Sequence, residues 1–384
     1  MNRQDLFIIF LIILTDLIGF GIIIPILPTI SEQIGVTGLS LGFLVSAYPL
    51  AQFFSAPILG SLSDRYGRKP ILVISKLGTV VAYLIFAYAR SLPLLLISKL
   101  IDGATGGNIP AARAYISDIT TKENRSRGMA VIGMGFGLGF IIGPALGGIF
   151  YSIGGSQVLP SLVGAALCFI SAVLTQVFLK ERMKPVTSHS SFSLRQFLAV
   201  FNHPSVRQIL LVQFLFMMAM SSFQTTFSFF TDTSFGLDAK QNSYLFVYLG
   251  TLSFLVQSSL LRQGHRDSHS QSRLGLFLAA MGVVLVAISP NLWFMLLFLI
   301  VYIIGNAFTN VFLPALLSTT SSTDPEGQIQ GAFESISSLA RIIGPVAAGS
   351  LVINYSRLVY IFLAFLVLVA LFFLSRPASA RLEE

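Results

Sequence analysis

An aspartate lies deep in the first apolar run of the chain. Asp16 comes about 11 residues into the stretch from Leu6 to Pro28, or roughly 16 Å along a helix, near the middle of a hydrocarbon layer about 30 Å thick. A carboxylate there costs about 2.5–3.5 kcal/mol on insertion scales, so it must face a cavity or a partner. Desolvation favours its neutral form, and an acid held near neutrality can load and release a proton as its surroundings change. A fixed ion pair inside a helix bundle is the competing reading, because structural pairs perturb acids as well.

Other charges fall in apolar stretches further along. Lys99, Asp102, Asn108, Arg113 and Asp118 share one of them. On a continuous helix, Asp102 and Arg113 lie close to three turns apart, on one face but about 16 Å apart in depth, too far to pair. Lys99, three residues before Asp102, can pair with it on that face. Asp16 and Asp102 are therefore the candidate proton-coupling acids, with Lys99, Arg113 and Arg341 as candidate counter-charges. Glu334 and Arg341 are two turns apart, so direct contact needs bending. Glu334 lies nearer the cytoplasmic end and fits a gate. Arg341, about halfway along its stretch, can neutralise an acidic substrate or a nearby acid, or serve as a structural partner to another helix.

The elements that must hold these groups follow from composition. Of 384 residues, 54% are hydrophobic and only 10% charged, against about 25% charged in an ordinary soluble domain. The chain is an all-α integral membrane protein by this reading. Continuous apolar runs such as Phe294–Ile304 and Ile361–Leu374 favour helices over the alternating strands of a barrel. One cysteine, Cys168, and four histidines exclude a disulfide scaffold and a His/Cys metal cluster. The net charge of +8 belongs to cytoplasmic loops and not to nucleic-acid binding. No nucleophile–base set or nucleotide loop appears, so no enzyme and no cofactor is expected.

Twelve spans are expected, at approximately 5–30, 39–62, 70–89, 92–117, 126–153, 159–180, 205–232, 239–261, 271–289, 291–317, 327–353 and 356–376, each near the roughly 20 apolar residues a crossing needs. With the N-terminus inside, only Arg90, Lys240 and Arg357 of the 24 Lys and Arg fall in outer loops, and Lys76, Lys99, Arg113 and Arg341 fall within spans. The asymmetry places both termini in the cytoplasm. Lys180 to Arg207, rich in Ser and His and carrying Pro185 and Pro204, reads as a linker. The expected organisation is a six-helix bundle over 1–180, a cytoplasmic linker over 181–204 and a second six-helix bundle over 205–384. Ile141-Ile142-Gly143-Pro144 recurs as Ile342-Ile343-Gly344-Pro345 in the fifth span of each half, which supports a duplicated, pseudo-symmetric unit.

Three further patterns bear on movement and binding. Gly60-Ser61-Leu62-Ser63-Asp64-Arg65-Tyr66-Gly67-Arg68-Lys69-Pro70 joins spans two and three. Its glycines allow a tight turn, and Asp64 can pair with a neighbouring cation or sit at a helix N-terminus. A merely basic loop explains Arg65, Arg68 and Lys69 but not the spacing of Gly, Asp and Gly. Span five carries Gly135, Gly139, Gly143 and Gly147 at intervals of four, with Gly133, Gly137, Pro144 and Gly148, a groove that lets another helix approach closely. Spans seven and ten offer Gln213, Phe223, Gln224, Thr225, Thr226, Phe227, Asn306 and Asn310, which with Asn108 suit an amphiphilic ligand. In a chain with 34 Phe, lipid contact or core packing competes for each ring.

The loop Gly60–Pro70 resembles the signature loop of the major facilitator superfamily. The run Gly143-Pro144-Ala145-Leu146-Gly147-Gly148 is similar to the antiporter motif of its drug-exporting members. The first span, with Asp16, Gly19, Gly21, Pro25 and Pro28, and the stretch Asp102–Asn108 followed by Ala114–Asp118 look like the tetracycline-exporter branch. The resemblance implies two six-helix bundles around a central cavity, and proton-coupled efflux of amphiphilic drugs by alternating access from the cell's inner membrane. A proton gradient is the energy source and a monomer the working unit. Gly60, Asp64, Arg65, Gly67, Arg68 and Glu334 would form the cytoplasmic gate, and Gly139, Gly143, Pro144, Gly147 and Gly148 a pliable joint. Two departures stand out. Lys99 occupies the position of the superfamily's usual Arg, and the loop Arg262–Arg273 lacks the Gly-Asp-Arg-Gly-Arg pattern. Transport of an endogenous sugar, lipid or metabolite by symport or uniport, or a sensor that kept the fold without transport, are the alternatives.

Overall fold

The computed structural model describes residues 3–23, 26, 30, 34, 39–181, 200–237, 239–262, 267–320 and 326–376. Pro25, Pro28 and most of the expected linker lie outside the described residues. The α-helices among those described are α1 (Arg3–Ile23), α2 (Leu39–Tyr66), α3 (Arg68–Tyr88), α4 (Leu92–Ala104), α5 (Asn108–Ile119), α6 (Arg125–Gly154), α7 (Val158–Phe178), α8 (Pro204–Phe235), α9 (Ala239–Arg262), α10 (Ser268–Ala287), α11 (Leu292–Thr320) and α12 (Glu326–Ser375), with short 3-10 turns at Lys122–Asn124 and Val200–Asn202.

Among the described residues, eight helical stretches are long and apolar enough to cross a membrane: α1, α3, α6, α7, α8, α10, α11 and the Arg357–Ser375 end of α12. This differs from the twelve expected spans for local reasons. The expected fourth span, 92–117, is two helices of 13 and 12 residues, separated at Thr105-Gly106-Gly107. The expected eleventh and twelfth spans lie in one helical element of 50 residues, and no proline follows Pro345 until Pro377 to interrupt it. At about 1.5 Å per residue this element is roughly 75 Å long, more than twice the hydrocarbon thickness of about 30 Å. In α9 the apolar stretch is limited to Tyr244–Leu260, and α2 carries Pro49 and Pro57 in its interior.

The faces of α3 show which solvent the protein is built for. Ile74, Leu77, Val81 and Leu84 are exposed, whereas Ser75, Lys76, Thr79 and Tyr83 are buried. Apolar side chains outside and polar ones inside invert the pattern of a water-exposed helix and suit a lipid surround.

The chain divides into two units. One comprises residues 1–121, 134–192 and 325–335, the other 122–133, 193–324 and 336–384. In the first, α7 packs on α1 and α3, and α4 packs on α2 and α3, around a core that includes Ile18, Ile22, Leu44, Tyr83, Phe86, Leu95 and Cys168. The short segment 325–335 carries the first turns of α12. In the second, α11 packs on α8, α9 and α10. Phe223 stacks on Tyr302 at 4.3 Å between ring centroids and Phe230 on Tyr360 at 4.5 Å, with Phe227 5.2 Å from Phe223.

Helix ends follow their residues. Asp267 caps α10, its carboxylate accepting from the backbone N–H of His269 and Ser270. Hydrogen bonds from the Ser270 side chain and backbone hold its carboxyl below the usual carboxylate range. This cap contributes above the ordinary carboxylate pKa and is lost as pH falls through the lowered folded-state value. Asp267→Ala will cost about 1 kcal/mol and speed hydrogen exchange at His269 and Ser270. Acidification of the wild type below the carboxylate range will do the same, and an unchanged exchange rate in both would remove the cap from the account.

Candidate functional site

Asp16 lies on α1, partly buried, and its Oδ1 forms an ion pair with Nζ of Lys76 on α3. The same ammonium donates to Ile12 O at 2.6 Å and to Thr15 Oγ1 at 3.3 Å. Lys76 is fully buried, so a cation that would otherwise be costly in the bundle is neutralised by an acid and two backbone-anchored acceptors. Asn108, the first residue of α5, stands beside the Asp16 carboxyl. Asp16 Oδ2 and Asn108 Oδ1 are both buried without a hydrogen-bond partner.

The break between α4 and α5 places Asn108 there. Gly103 packs its backbone on Tyr48, and a Cβ on Gly107 would come within 2.7 Å of Leu59. Carbonyls freed by the break find side chains: Gln52 Nε2 donates to Gly106 O at 3.2 Å and Ser55 Oγ to Gly103 O at 3.0 Å. Pro110 falls in the first turn of α5, where a missing N–H costs nothing.

Asp102 ends up buried near Asp16, with Thr79 as a hydrogen-bond neighbour. Lys99 does not meet it within ion-pair distance, as the spacing suggested it could. It is absent from the ion pairs among the described residues, and its ammonium lies 5.1 Å from the centre of the Phe86 ring. Tyr83 and Cys168 complete the polar neighbourhood of the two acids. Sequence reasoning left Lys76 without a role, because helical spacing relates residues only within one helix.

A second cluster forms at the loop after α2. Arg68 pairs with Asp64 at 2.6 Å and with Asp118 at 2.9 Å, and donates to Ser63 Oγ at 2.6 Å. Asp64 Oδ2 accepts the backbone N–H of Gln328 at 2.9 Å, in the first turn of α12, where a helix favours an anion. Asp64 thus takes both positions open to it. Ser63 Oγ donates to Gly60 O at 2.7 Å, and Arg65, exposed, lies over the Tyr66 ring. Glu181, which carried no sequence signal, accepts the backbone N–H of Arg68 at 3.3 Å and of Lys69 at 2.9 Å. Gly67 turns between the helices at φ 101°, and a Cβ there would run into the Glu181 carboxylate. Gly67→Ala will therefore lower the midpoint of thermal unfolding, by strain of about 1–3 kcal/mol. An unshifted midpoint would show that the loop can relax.

Arg113 and Glu334 meet at 2.9 Å, both buried, and Arg113 also covers the Phe333 ring. Ser335 Oγ donates to Phe53 O at 2.7 Å. The start of α12 is therefore tied to α2 and α5. Arg341 is half-buried.

The remaining candidates take other places. Gln213 is buried and donates to Ser337 Oγ at 2.8 Å. Phe223 and Phe227 are buried in the aromatic stack, whereas Gln224 is exposed. Asn310 donates to Asn306 O and Oδ1 at 2.9 and 2.8 Å. The stripe on α6 packs against α1: a Cβ on Gly135 would meet Ile13, on Gly139 Leu17, on Gly143 Gly21 and on Gly147 Ile22, while Gly148 has nothing within 4 Å. Pro144 Cδ lies on the same contact, beside Gly21.

Among the described residues the protein is all-helical, with apolar outer faces, buried ion pairs and a broken helix, the build of a multi-pass membrane protein. The profile described as Major Facilitator Superfamily matches residues 9–345, and the chain belongs to that superfamily. It is 30% identical over 356 residues to the tetracycline resistance protein, class H, of Pasteurella multocida, covering 90% of this chain and 88% of that one. It is 27% identical to multidrug resistance protein 2 of Bacillus subtilis (strain 168), covering 94% and 93%. A crystal structure of the human organic anion transporter MFSD10 (TETRAN) superposes with a TM-score of 0.88 at 25% identity, covering 97% of this chain and 99% of that one.

Proposed function

We propose that the protein is a proton-coupled exporter of amphiphilic, drug-like molecules, working by alternating access in the cytoplasmic membrane with both termini inside. The Asp16–Lys76 pair carries this reading. A proton taken up by Asp16 and a substrate engaging the same carboxyl exclude one another, which is the condition for exchange. Asp102 serves as the second acid, and Asp64, Arg68 and the Arg113–Glu334 pair latch the cytoplasmic side. Twelve crossings in two six-helix bundles, acting as a monomer, complete the proposal. The tetracycline and multidrug resistance relatives support export over import. One proton moving inward across 100 mV releases about 2.3 kcal/mol, enough for a roughly 50-fold substrate gradient.

The test is proton flux in proteoliposomes under an imposed pH gradient, with tetracycline-like and lipophilic cationic compounds added in turn. Drug-triggered proton movement in the wild type and none in Asp16→Asn is the expected result. No response to any compound from folded protein would overturn the export reading. Transport of organic anions is the second reading. Lys99, a buried cation outside every ion pair described, favours it, as does the substrate class of the human relative. Proton movement triggered by lipophilic carboxylates alone would select it.

A further inference from the structure

The start of α12 buries one side chain whose chemistry is at odds with its surroundings. Three polar groups between residues 328 and 335 are paired there. The Gln328 N–H donates to Asp64 Oδ2, Arg113 donates to the Glu334 carboxylate, and the Ser335 hydroxyl donates to Phe53 O. Gly331 lies directly on the α2 backbone, where a Cβ would come 2.8 Å from Ala56 O and 2.9 Å from Pro57 Cα. Ile329, Ala332 and Phe333 are buried beside these contacts. Gln330 is fully buried in the same segment, yet neither its Nε2 nor its Oε1 has a hydrogen-bond partner. It stands one turn before Glu334, on the same helix face. A carboxamide carries two donors and an acceptor oxygen, and leaving them bare away from water is costly. Buried polar groups in folded proteins are nearly always paired, so an amide bare at both ends calls for a reason.

We propose that Gln330 is a counterweight in the transport cycle: its bare amide weakens the hold of α2 and α5 on the start of α12, so that this segment can be released. The proposal rests on the alternating-access export reading and adds the group that sets how readily the Asp64 and Glu334 contacts give way. The bonds of Gln328, Glu334 and Ser335 and the close approach of Gly331 all favour the held state. Gln330 opposes them. Once the segment is released, water reaches the amide and both of its ends regain partners. The penalty therefore falls on the held state alone, and a group shifts the balance between two states only by interacting differently with each. Filling the space asks for no amide. Methionine has nearly the same length and volume and no polar group to leave unpaired.

The experiment compares the full-length wild type with Gln330→Met and Gln330→Leu. Backbone hydrogen exchange over residues 328–335 in nanodiscs reports release of the segment, and drug-triggered proton flux in proteoliposomes reports turnover. With the amide gone, exchange should slow by roughly fivefold or more, the size expected for one buried unpaired polar group. The thermal midpoint should rise while maximal flux falls. A residue that merely holds the structure together would lower both. Unchanged or faster exchange in the two variants overturns the counterweight, because the amide then adds to the hold through a buried water or a neighbour. Slower exchange with wild-type flux overturns it as well, since release would not govern turnover. Failure of both variants to fold has the same meaning, because the segment would then need the amide. If the wild type moves no protons with any drug, the export reading falls, and exchange still decides whether the amide weakens the hold.

Discussion

Lys76→Met will destabilise the protein by about 3–5 kcal/mol, the usual consequence of removing one partner from a buried ion pair. The methionine fills nearly the same volume, so the effect is electrostatic: Asp16 is left in the bundle without its cation, and Ile12 O and Thr15 Oγ1 each lose a donor. The carboxyl can respond only by holding a proton, so the deficit should grow as pH rises and shrink in acid. Adding Asp16→Asn to Lys76→Met removes the stranded charge and should restore most of the thermal stability. A double-mutant cycle on unfolding midpoints isolates that coupling. Drug-triggered proton movement should stay absent from the double variant, since the carboxyl that exchanges a proton for substrate is gone and Asp102 remains alone. A Lys76→Met protein as stable as the wild type, at neutral and alkaline pH alike, would show that the pair does not hold Asp16 in place.

That pair also marks how far the sequence could be read. Asp16 stands out because a carboxylate in an apolar run is costly and must face a cavity or a partner. Its partner does not, because Lys76 is 60 positions away and nothing in helical periodicity says which faces of α1 and α3 will meet. The Asp64 loop was legible for a related reason: its short range fixes Arg68 one turn after Asp64. The bond from Gln328 to Asp64 depends on a segment 264 positions on and was not legible. Treating 92–117 as one helix led to the three-turn separation of Asp102 and Arg113. Gly106-Gly107 and Pro110 are the breaker signal that points to two helices instead, and Asn108 owes its place beside Asp16 to that break. Phe223 and Phe227 were ambiguous by composition, and Tyr302 and Tyr360 decide their surroundings by stacking on the same cluster. The superfamily was legible because its motifs are local, whereas substrate chemistry is written in contacts between helices.

The glycine stripe of α6 gives the other large expected effect. A Cβ on Gly143 would lie 2.7 Å from Gly21 Cα and 2.8 Å from Ile18 O. Both obstacles are backbone, so no rotamer change relieves them. Gly143→Ala must push α1 and α6 apart, at about 1–3 kcal/mol, and Gly143→Val more. Gly148 is an internal control on the same helix, exposed and with nothing within 4 Å of an added Cβ, so Gly148→Ala should leave the thermal midpoint unchanged or raise it through helix propensity. Equal midpoints for Gly143→Val and wild type would mean that the α1–α6 approach is looser than the distances say. The same helix separates packing from hinging. If the stripe only lets α1 and α6 pack, stability and flux fall together along the series. If Pro144 makes the segment a pliable joint, Pro144→Ala restores a backbone donor and should keep or raise stability while transport slows. Flux and unfolding midpoint measured on Gly143→Ala, Pro144→Ala and Gly148→Ala together distinguish the two, because only a joint can lose rate without losing stability.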